Sequence, residues 1–408
     1  MINTYKIIND PVHGFINIPS GLIQEITEHH YFQRLRDIKQ LGLTSLVYPG
    51  ATHSRLLHAL GAMHLMREAI INLRSKGTDI DRLEEEAALA AILLHDVGHG
   101  PFSHTLEKNI LQGISHEEIS LAMLREMNRQ MGGRLNSAIE IFLGTYPKYY
   151  LHQLVSSQLD VDRLDYLRRD SFFSGVAEGM IGHERILKML RVHENRLVVE
   201  EKGLYSVEKF LISRRLMYWQ VYLHKTVVAA EQLLIQILRR ARELVAHSLN
   251  LPGSAALIFF LANSFKEEDL NRKEVLDKFA LLDDTDIMSA IKQWQFCEDR
   301  ILALLSNMLV CRRLPKVILS NEPVPRKRLE QIREEMLSSE LVNSGEIDYF
   351  LQSSELFNSG YDIKGEEIAI LCKDLGIRSV HEVSDMLSAK AFSQITKKYF
   401  LCRAKFDN

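Results

Sequence analysis

Sixteen histidines stand in this chain of 408 residues, and they are unevenly spread. The densest stretch reads Leu93-Leu94-His95-Asp96-Val97-Gly98-His99-Gly100-Pro101-Phe102-Ser103-His104, with His116 and Glu117 shortly after it. An imidazole nitrogen beside a carboxylate oxygen, as at His95 and Asp96, is a mixed donor pair for one divalent cation. Two adjacent residues cannot close a coordination sphere. The best further ligands are His58, in His53-Ser54-Arg55-Leu56-Leu57-His58, and Asp162, in the acidic and basic run from Asp160 to Asp170. On a helix, Asp162, Tyr166 and Arg169 share one face, placing a ligand, an aromatic and a cation on one cavity wall. Arg55 and His58, three apart, sit together in the same way. A His-Asp dipeptide alone signals little, because helical histidines and surface acids are usually packed or solvated. The ordered series of His, His-Asp and Asp, with Gly and Pro behind the pair, is what points to a bound metal.

Helices must position these groups. Ala87, Ala88, Ala91, Ile92 and His95 recur at helical spacing behind the acidic start Glu84-Glu85-Glu86, and Gly98, Gly100 and Pro101 end that helix. Residues 5–18 read as two β-prone runs around a turn, residues 20–195 as mainly helical, and 207–248 as a long helical pattern. Residues 196–200 and 203–206 could pair as a second small hairpin. Beyond about residue 310 the texture changes, with β-prone runs at 316–320, 349–353 and 367–373 between helical stretches. The expected fold is mainly α: an all-helical core with short β-hairpins and a smaller α+β C-terminal region. The expected division is a catalytic domain over 1–250 and a helical extension with the α+β region over 251–408.

Composition excludes several classes. With 46% hydrophobic and 25% charged residues and a formal net charge of -3, the chain is globular and carries no global positive field for nucleic acid or anionic membrane. Its four cysteines, Cys297, Cys311, Cys372 and Cys402, are scattered and suit a reducing compartment. The N-terminus lacks a signal-peptide core, and the most apolar run, Ala255–Ala262, is too short to span a bilayer. The expected location is cytoplasmic.

At these residues the sequence resembles the HD superfamily, specifically its deoxynucleoside triphosphate triphosphohydrolases, without the sterile-alpha-motif domain that some members carry. The matching segments lie at 9–14, 32–42, 49–61, 93–104, His116-Glu117 and 160–170, with Arg214 and Tyr222-Leu223-His224-Lys225 further on. The resemblance covers about residues 5–235. It implies His58, His95, Asp96 and Asp162 as metal ligands, His104 as general acid or base, and His99 and His116 among the phosphates. Arg55, Arg214 and Lys225 then resemble phosphate-binding cations, Gln40 and Leu41 lie near sugar and base, and Tyr166 and Asp170 flank the deoxyribose, with Tyr222 and His224 also facing substrate. Lys6, Asn9, Gln33 and Arg36 resemble a nucleotide-activator site. Two positions depart from the pattern: a family histidine is Tyr218 here, and an aspartate that reads guanine is Glu28.

The implied reaction is hydrolysis at the α-phosphorus, with His104 protonating the departing ribose oxygen, to give deoxynucleoside and tripolyphosphate. The ligand set suits one iron, manganese, nickel or zinc ion per site, with magnesium accompanying the phosphates. A homo-oligomer, dimer or tetramer, follows from the same resemblance. Two alternatives stay open. One keeps the site and changes the nucleotide to a monophosphate, guanosine tetraphosphate or cyclic dinucleotide. The other is a nucleotide-sensing or single-strand nucleic-acid-binding module using the basic runs Arg312-Arg313 and Arg326-Lys327-Arg328.

Overall fold

Asp10 sets the first turn. In the computed structural model its Oδ1 accepts hydrogen bonds from the backbone N–H groups of Val12 at 2.9 Å and His13 at 2.8 Å, the local bonding that makes Asp a turn former. Gly14 follows with φ of 76°, a left-handed backbone that glycine adopts without steric cost. The outcome is the expected hairpin, β1 (Tyr5–Asp10) antiparallel to β2 (Gly14–Pro19). The structure describes residues 5–102, 110, 111, 113–338, 342–358, 367–386 and 396–405.

Helices follow: α1 (Leu22–Glu28), α2 (His30–Gln33), α3 (Arg55–Ser75), α4 (Arg82–Leu94), α5 (His116–Gln130), α6 (Asn136–Leu143), α7 (Tyr149–Val155) and α8 (Val161–Ser174). The run from Leu56 to Met66 buries residues on every side of α3, so α3 is the central helix, with α4 and α8 packed along it. A capping box starts α4: Asp81 Oδ1 accepts from the Glu84 N–H, and the Glu84 carboxylate accepts from the Asp81 N–H. The same device, Ser115 with Glu118, starts α5 and fixes His116 in its first turn. Gly98 permits the approach of α5, since a Cβ there would stand 2.3 Å from the Ser120 nitrogen and 2.4 Å from the His116 carbonyl oxygen. Asp160 caps α8 by accepting from the Arg163 N–H, and Gly175 ends it in the left-handed conformation.

Next come α9 (His183–Met189), β3 (Leu190–His193), β4 (Arg196–Glu200), α10 (Leu204–Met217), a π-helical turn (Tyr218–Tyr222) and α11 (Lys225–Ala246). One expectation is corrected here. β4 pairs with β3, and of residues 203–206 Gly203 ends a 3-10 turn while Leu204, Tyr205 and Ser206 open α10 instead of forming a strand. The reason is the pair Glu194-Asn195, both at positive φ (47° and 63°), which makes a tight two-residue turn before β4.

The remaining helices are α12 (Ala255–Ala262), α13 (Lys273–Ala280), α14 (Asp284–Trp294), α15 (Arg300–Val310), α16 (Arg326–Ser338) and α17 (Val380–Val383). Strands β5 (Lys316–Ser320), β6 (Leu351–Asn358) and β9 (Thr396–Arg403) form one antiparallel sheet in the order β5-β9-β6. β7 (Ala369–Leu371) lies parallel to β4, and β8 (Ile377–Ser379) completes the sheet β3-β4-β7-β8. The fold is mainly α with small sheets, as expected. One apolar cluster runs from Ile16 through Leu251, Trp294 and Leu309 to Ala404, so the core continues across residue 250. Among the described residues no helix is long and apolar enough to cross a membrane.

Candidate active site

Side chains from α3, α4 and α8 converge. α3 carries His58, His95 and Asp96 follow the end of α4, and the first turn of α8 carries Asp162. His58 Nε2 lies 3.0 Å from Asp162 Oδ1 and 3.9 Å from Asp96 Oδ2, while His95 Nε2 lies 3.4 Å from Asp162 Oδ1 and from Asp96 Oδ1. Two donors each about 2.1 Å from one cation stand about 3.0 Å apart at a right angle and about 3.4 Å apart at a tetrahedral angle. Three of these separations match such ligand edges.

The tautomers agree. His95 Nδ1 is 2.6 Å from the Ile92 carbonyl oxygen, which can only accept, so that nitrogen carries the proton and leaves Nε2 bare. His58 Nδ1 is 2.8 Å from Asp165 Oδ2 and is placed the same way. Both Nε2 atoms are buried without a hydrogen-bond partner. A buried polar atom of this kind calls for an explanation, and one divalent cation between the two rings supplies it. The residues present fit a metal.

Electrostatics follow from the same contacts. Burial disfavours the charged form of His58, but the carboxylates of Asp162 and Asp165 beside it outweigh that and raise the imidazole to about 10. Burial would raise Asp162, yet His58 and His95 hold it well below the usual carboxylate range. Asp96 is likewise held low against its burial by His95, His99 and Arg55. Without a cation the cluster holds a proton instead.

Asp96 also faces outward. Its Oδ2 accepts from Arg55 Nη1 at 2.7 Å, and its Oδ1 lies 3.3 Å from His99 Nε2. Burial first, then Arg55, push His99 well below the ordinary histidine range, so it stays neutral. Its ring stacks on His116 at 4.0 Å. The donor atoms of Asp96, His99 and His116 lie within 4.8 Å of one another.

A cavity of about 460 Å³ opens over this cluster. Of the residues expected at substrate or catalysis, it is lined by Gln40, Leu41, Arg55, His99, His116, Tyr166, Asp170, Arg214 and Tyr222, together with Asp96 and Asp162, two of the four expected metal ligands. Asp170 is held from two sides, by His53 Nε2 at 2.8 Å and by the Tyr222 hydroxyl at 2.8 Å. Arg214 Nη1 donates to Gln158 Oε1 at 3.2 Å, and its buried Nε has no hydrogen-bond partner.

Other expectations land elsewhere. His224 caps α11 by accepting from the Thr226 N–H at 3.2 Å, Lys225 is exposed, and neither lines the cavity. Arg169 leaves the shared face of α8 because its long side chain turns inward to Asp165 and Asp10. His104 lies outside the described residues. None of Lys6, Asn9, Gln33 and Arg36 lines the cavity: Asn9 pairs with Phe15 in the hairpin, while around the end of α1 Lys6 is 3.9 Å from Glu28, Gln33 donates to the Thr27 carbonyl, and Arg36 donates to Gln33. Sequence reasoning missed Gly42, Thr44, Phe102, Arg163, Leu223 and Glu231 in the lining, and took Tyr218 only as a departure. It also missed Asp10, His13, His53 and Asp165 behind the site. His13 and His53 stood within matched segments, where a histidine beside Gly or Ser was the available signal.

Fold and site define a metal-assisted hydrolase built on helices. Residues 55–170 match the HD domain, and residues 181–251 match the HD associated region. The Bacillus subtilis protein YwfO is 36% identical over 316 residues, 76% of this chain and 71% of that one. The human deoxynucleoside triphosphate triphosphohydrolase SAMHD1 is 30% identical over 268 residues, 55% of this chain and 42% of the human protein. The crystal structure of a phosphohydrolase from Bacteroides thetaiotaomicron superposes with a TM-score of 0.95 at 51% identity, covering 98% of this chain and 100% of that one. A hypothetical protein from Aquifex aeolicus gives a TM-score of 0.73 at 26% identity, covering 98% of this chain and 97% of that one. The chain belongs to the HD-domain family of metal-dependent phosphohydrolases.

Proposed function

We propose that this protein hydrolyses deoxynucleoside triphosphates to deoxynucleoside and tripolyphosphate in the cytoplasm. The observation that carries the reading is the pair of buried, unpartnered Nε2 atoms of His58 and His95, set against Asp96 and Asp162 beneath a nucleotide-sized cavity. These four residues would hold one divalent transition metal, iron, manganese, nickel or zinc. When bound, such an ion lowers the pKa of water towards about 7 and draws charge from a phosphoryl oxygen. Arg214, with its unpartnered Nε, and Arg55 bind the phosphate tail. His99, neutral and stacked on His116, lines the cavity wall assigned to the phosphates together with that ring. Two imidazoles beside two carboxylates suit magnesium poorly, so magnesium would accompany the phosphates themselves. Tyr166 and the Asp170–Tyr222 pair form the wall assigned to the deoxyribose. His104 protonates the leaving oxygen.

Likeness to the human triphosphohydrolase supports the substrate class, as does the Dictyostelium discoideum homologue, 28% identical over 292 residues. Incubation with each of the four deoxynucleotides, followed by anion-exchange separation of products, tests it. Tripolyphosphate and deoxynucleoside are expected in equal amounts. Turnover confined to a monophosphate, guanosine tetraphosphate or a cyclic dinucleotide moves the assignment to that nucleotide, and binding without turnover moves it to the sensing class. A homo-oligomer with an activator pocket at Lys6, Asn9, Gln33 and Arg36 is part of the same reading. Sedimentation as a monomer with and without nucleotides, and hyperbolic kinetics indifferent to a second nucleotide, contradict that part alone.

A further inference from the structure

Behind the metal ligands lies a buried ionic chain that reaches the N-terminal hairpin. Asp165 Oδ2 accepts from His58 Nδ1 at 2.8 Å and from Arg169 Nε at 2.8 Å. Its Oδ1 accepts from His13 Nε2 at 2.7 Å and from Arg169 Nη2 at 3.0 Å. Arg169 Nη1 then donates at 2.7 Å to Asp10 Oδ2, on the residue whose other oxygen holds the hairpin turn. Asp165 and Arg169 are 0% exposed. All four lone-pair directions of the Asp165 carboxylate are thereby used, so its position is fixed from two elements besides α3.

The central helix is cut to fit this chain. Gly61 lies three residues beyond His58 on α3, and a Cβ there would stand 2.0 Å from Asp165 Oδ1 and 2.2 Å from Arg169 Nη2. Glycine in a helix interior costs roughly 0.5–1 kcal/mol relative to alanine, so its presence there answers to the packed ion pair.

From this geometry we infer that Asp165 is a positioning residue for His58, and that Asp10 and His13 tie the grip on the metal to the docked hairpin. Asp165 keeps the proton on Nδ1 and aims Nε2 at the cation. Loss of the hairpin contacts leaves Asp165 held only by Arg169 and His58, and loosens the carboxylate that orients the His58 ring. This rests on the metal centre proposed above.

The test uses the full chain loaded with cobalt(II), reading metal loss into excess chelator and the visible absorption of the bound ion. Asp165→Asn places an amide against Arg169 and His13, and should speed metal loss by about 10–100-fold and shift the cobalt bands. Asp10→Asn and His13→Gln should speed it by a smaller factor. In a double variant with Asp165→Asn, neither should add its full single effect, because both act through Asp165. If Asp165→Asn fails to fold, Asp10→Asn and His13→Gln carry the test, and wild-type loss rates and spectra in both overturn the inference. A folded Asp165→Asn protein that holds cobalt as wild type does overturns it too. Wild-type protein that binds no metal contradicts the proposed centre itself, whereas a loaded wild type with unaffected variants contradicts this chain alone.

Discussion

At His58 a proton and a bound cation would compete for the same imidazole. Its imidazole is raised to about 10 by Asp162 and Asp165 acting against burial, so in the metal-free protein it is charged at neutral pH. A raised pKa stabilises the fold fully below the unfolded value of about 6.5, and that contribution is lost as pH climbs through the folded value. Metal-free protein should therefore lose thermal stability from pH 6.5 to pH 9, while metal binding strengthens over the same range. One displaced proton gives about tenfold in affinity per pH unit. Titration with buffered zinc at pH 6.5 and pH 8.5 should show a gain of about a hundredfold, and a pH-independent affinity would contradict the proton-for-metal exchange. Arg214 makes a different prediction. Arg214→Ala should keep its metal and lose about ten- to a hundredfold in kcat/KM for triphosphates, chiefly through KM, as expected for a charge-assisted phosphate contact. Kinetics like wild type would return Arg214 to a packing role. The clustering of His58, His95, Asp96 and Asp162 was legible in the sequence because each sits in a local His or Asp pattern on or just after a helix. The layer behind them was not, since Asp10 and Arg169 meet across 159 residues and nothing local in either marks the other.

At the scale of elements, the helical extension holds the site's loop in shape. Phe102, the last described residue of the HD loop, has φ of 50°, a strained value for a bulky residue. Its N–H donates to Asp284 Oδ1 at 2.8 Å, at the start of α14, while Asp284 Oδ2 accepts from the Lys39 N–H at 3.0 Å, beside Gln40. Buried Arg34 reaches the same loop, donating to the carbonyls of Val97, His99 and Leu282. Asp284→Ala should leave two N–H groups unpaired, lower stability by about 1–3 kcal/mol for each that stays buried, and raise KM for nucleotides with metal content unchanged. Thermal melting and steady-state kinetics measure both effects. An unchanged melting temperature and KM would show that the loop keeps its shape unaided. Helical periodicity foretold α4, and Asp-Pro with His-Gly foretold the first hairpin. The second hairpin was misplaced because Glu194-Asn195 is a less familiar turn pair than one containing glycine.

For the whole molecule, one apolar core unites segments that sequence reading set apart. The boundary expected near residue 250 falls within a continuous apolar cluster, and β7 joins β4 in parallel, so the late strands extend a sheet begun beside the catalytic helices. Composition and periodicity report only neighbours along the chain, which is why the class of fold was legible and this union was not. Under the proposed function, hydrolysis depends on a cation that His58, His95, Asp96 and Asp162 would hold. Metal per chain and tripolyphosphate release, measured on the same preparations of wild type and Asp162→Ala, test it most directly. About one metal ion per chain with turnover is expected in the wild type, and neither in a folded Asp162→Ala protein. A folded Asp162→Ala protein that retained full metal and released tripolyphosphate at the wild-type rate would contradict it.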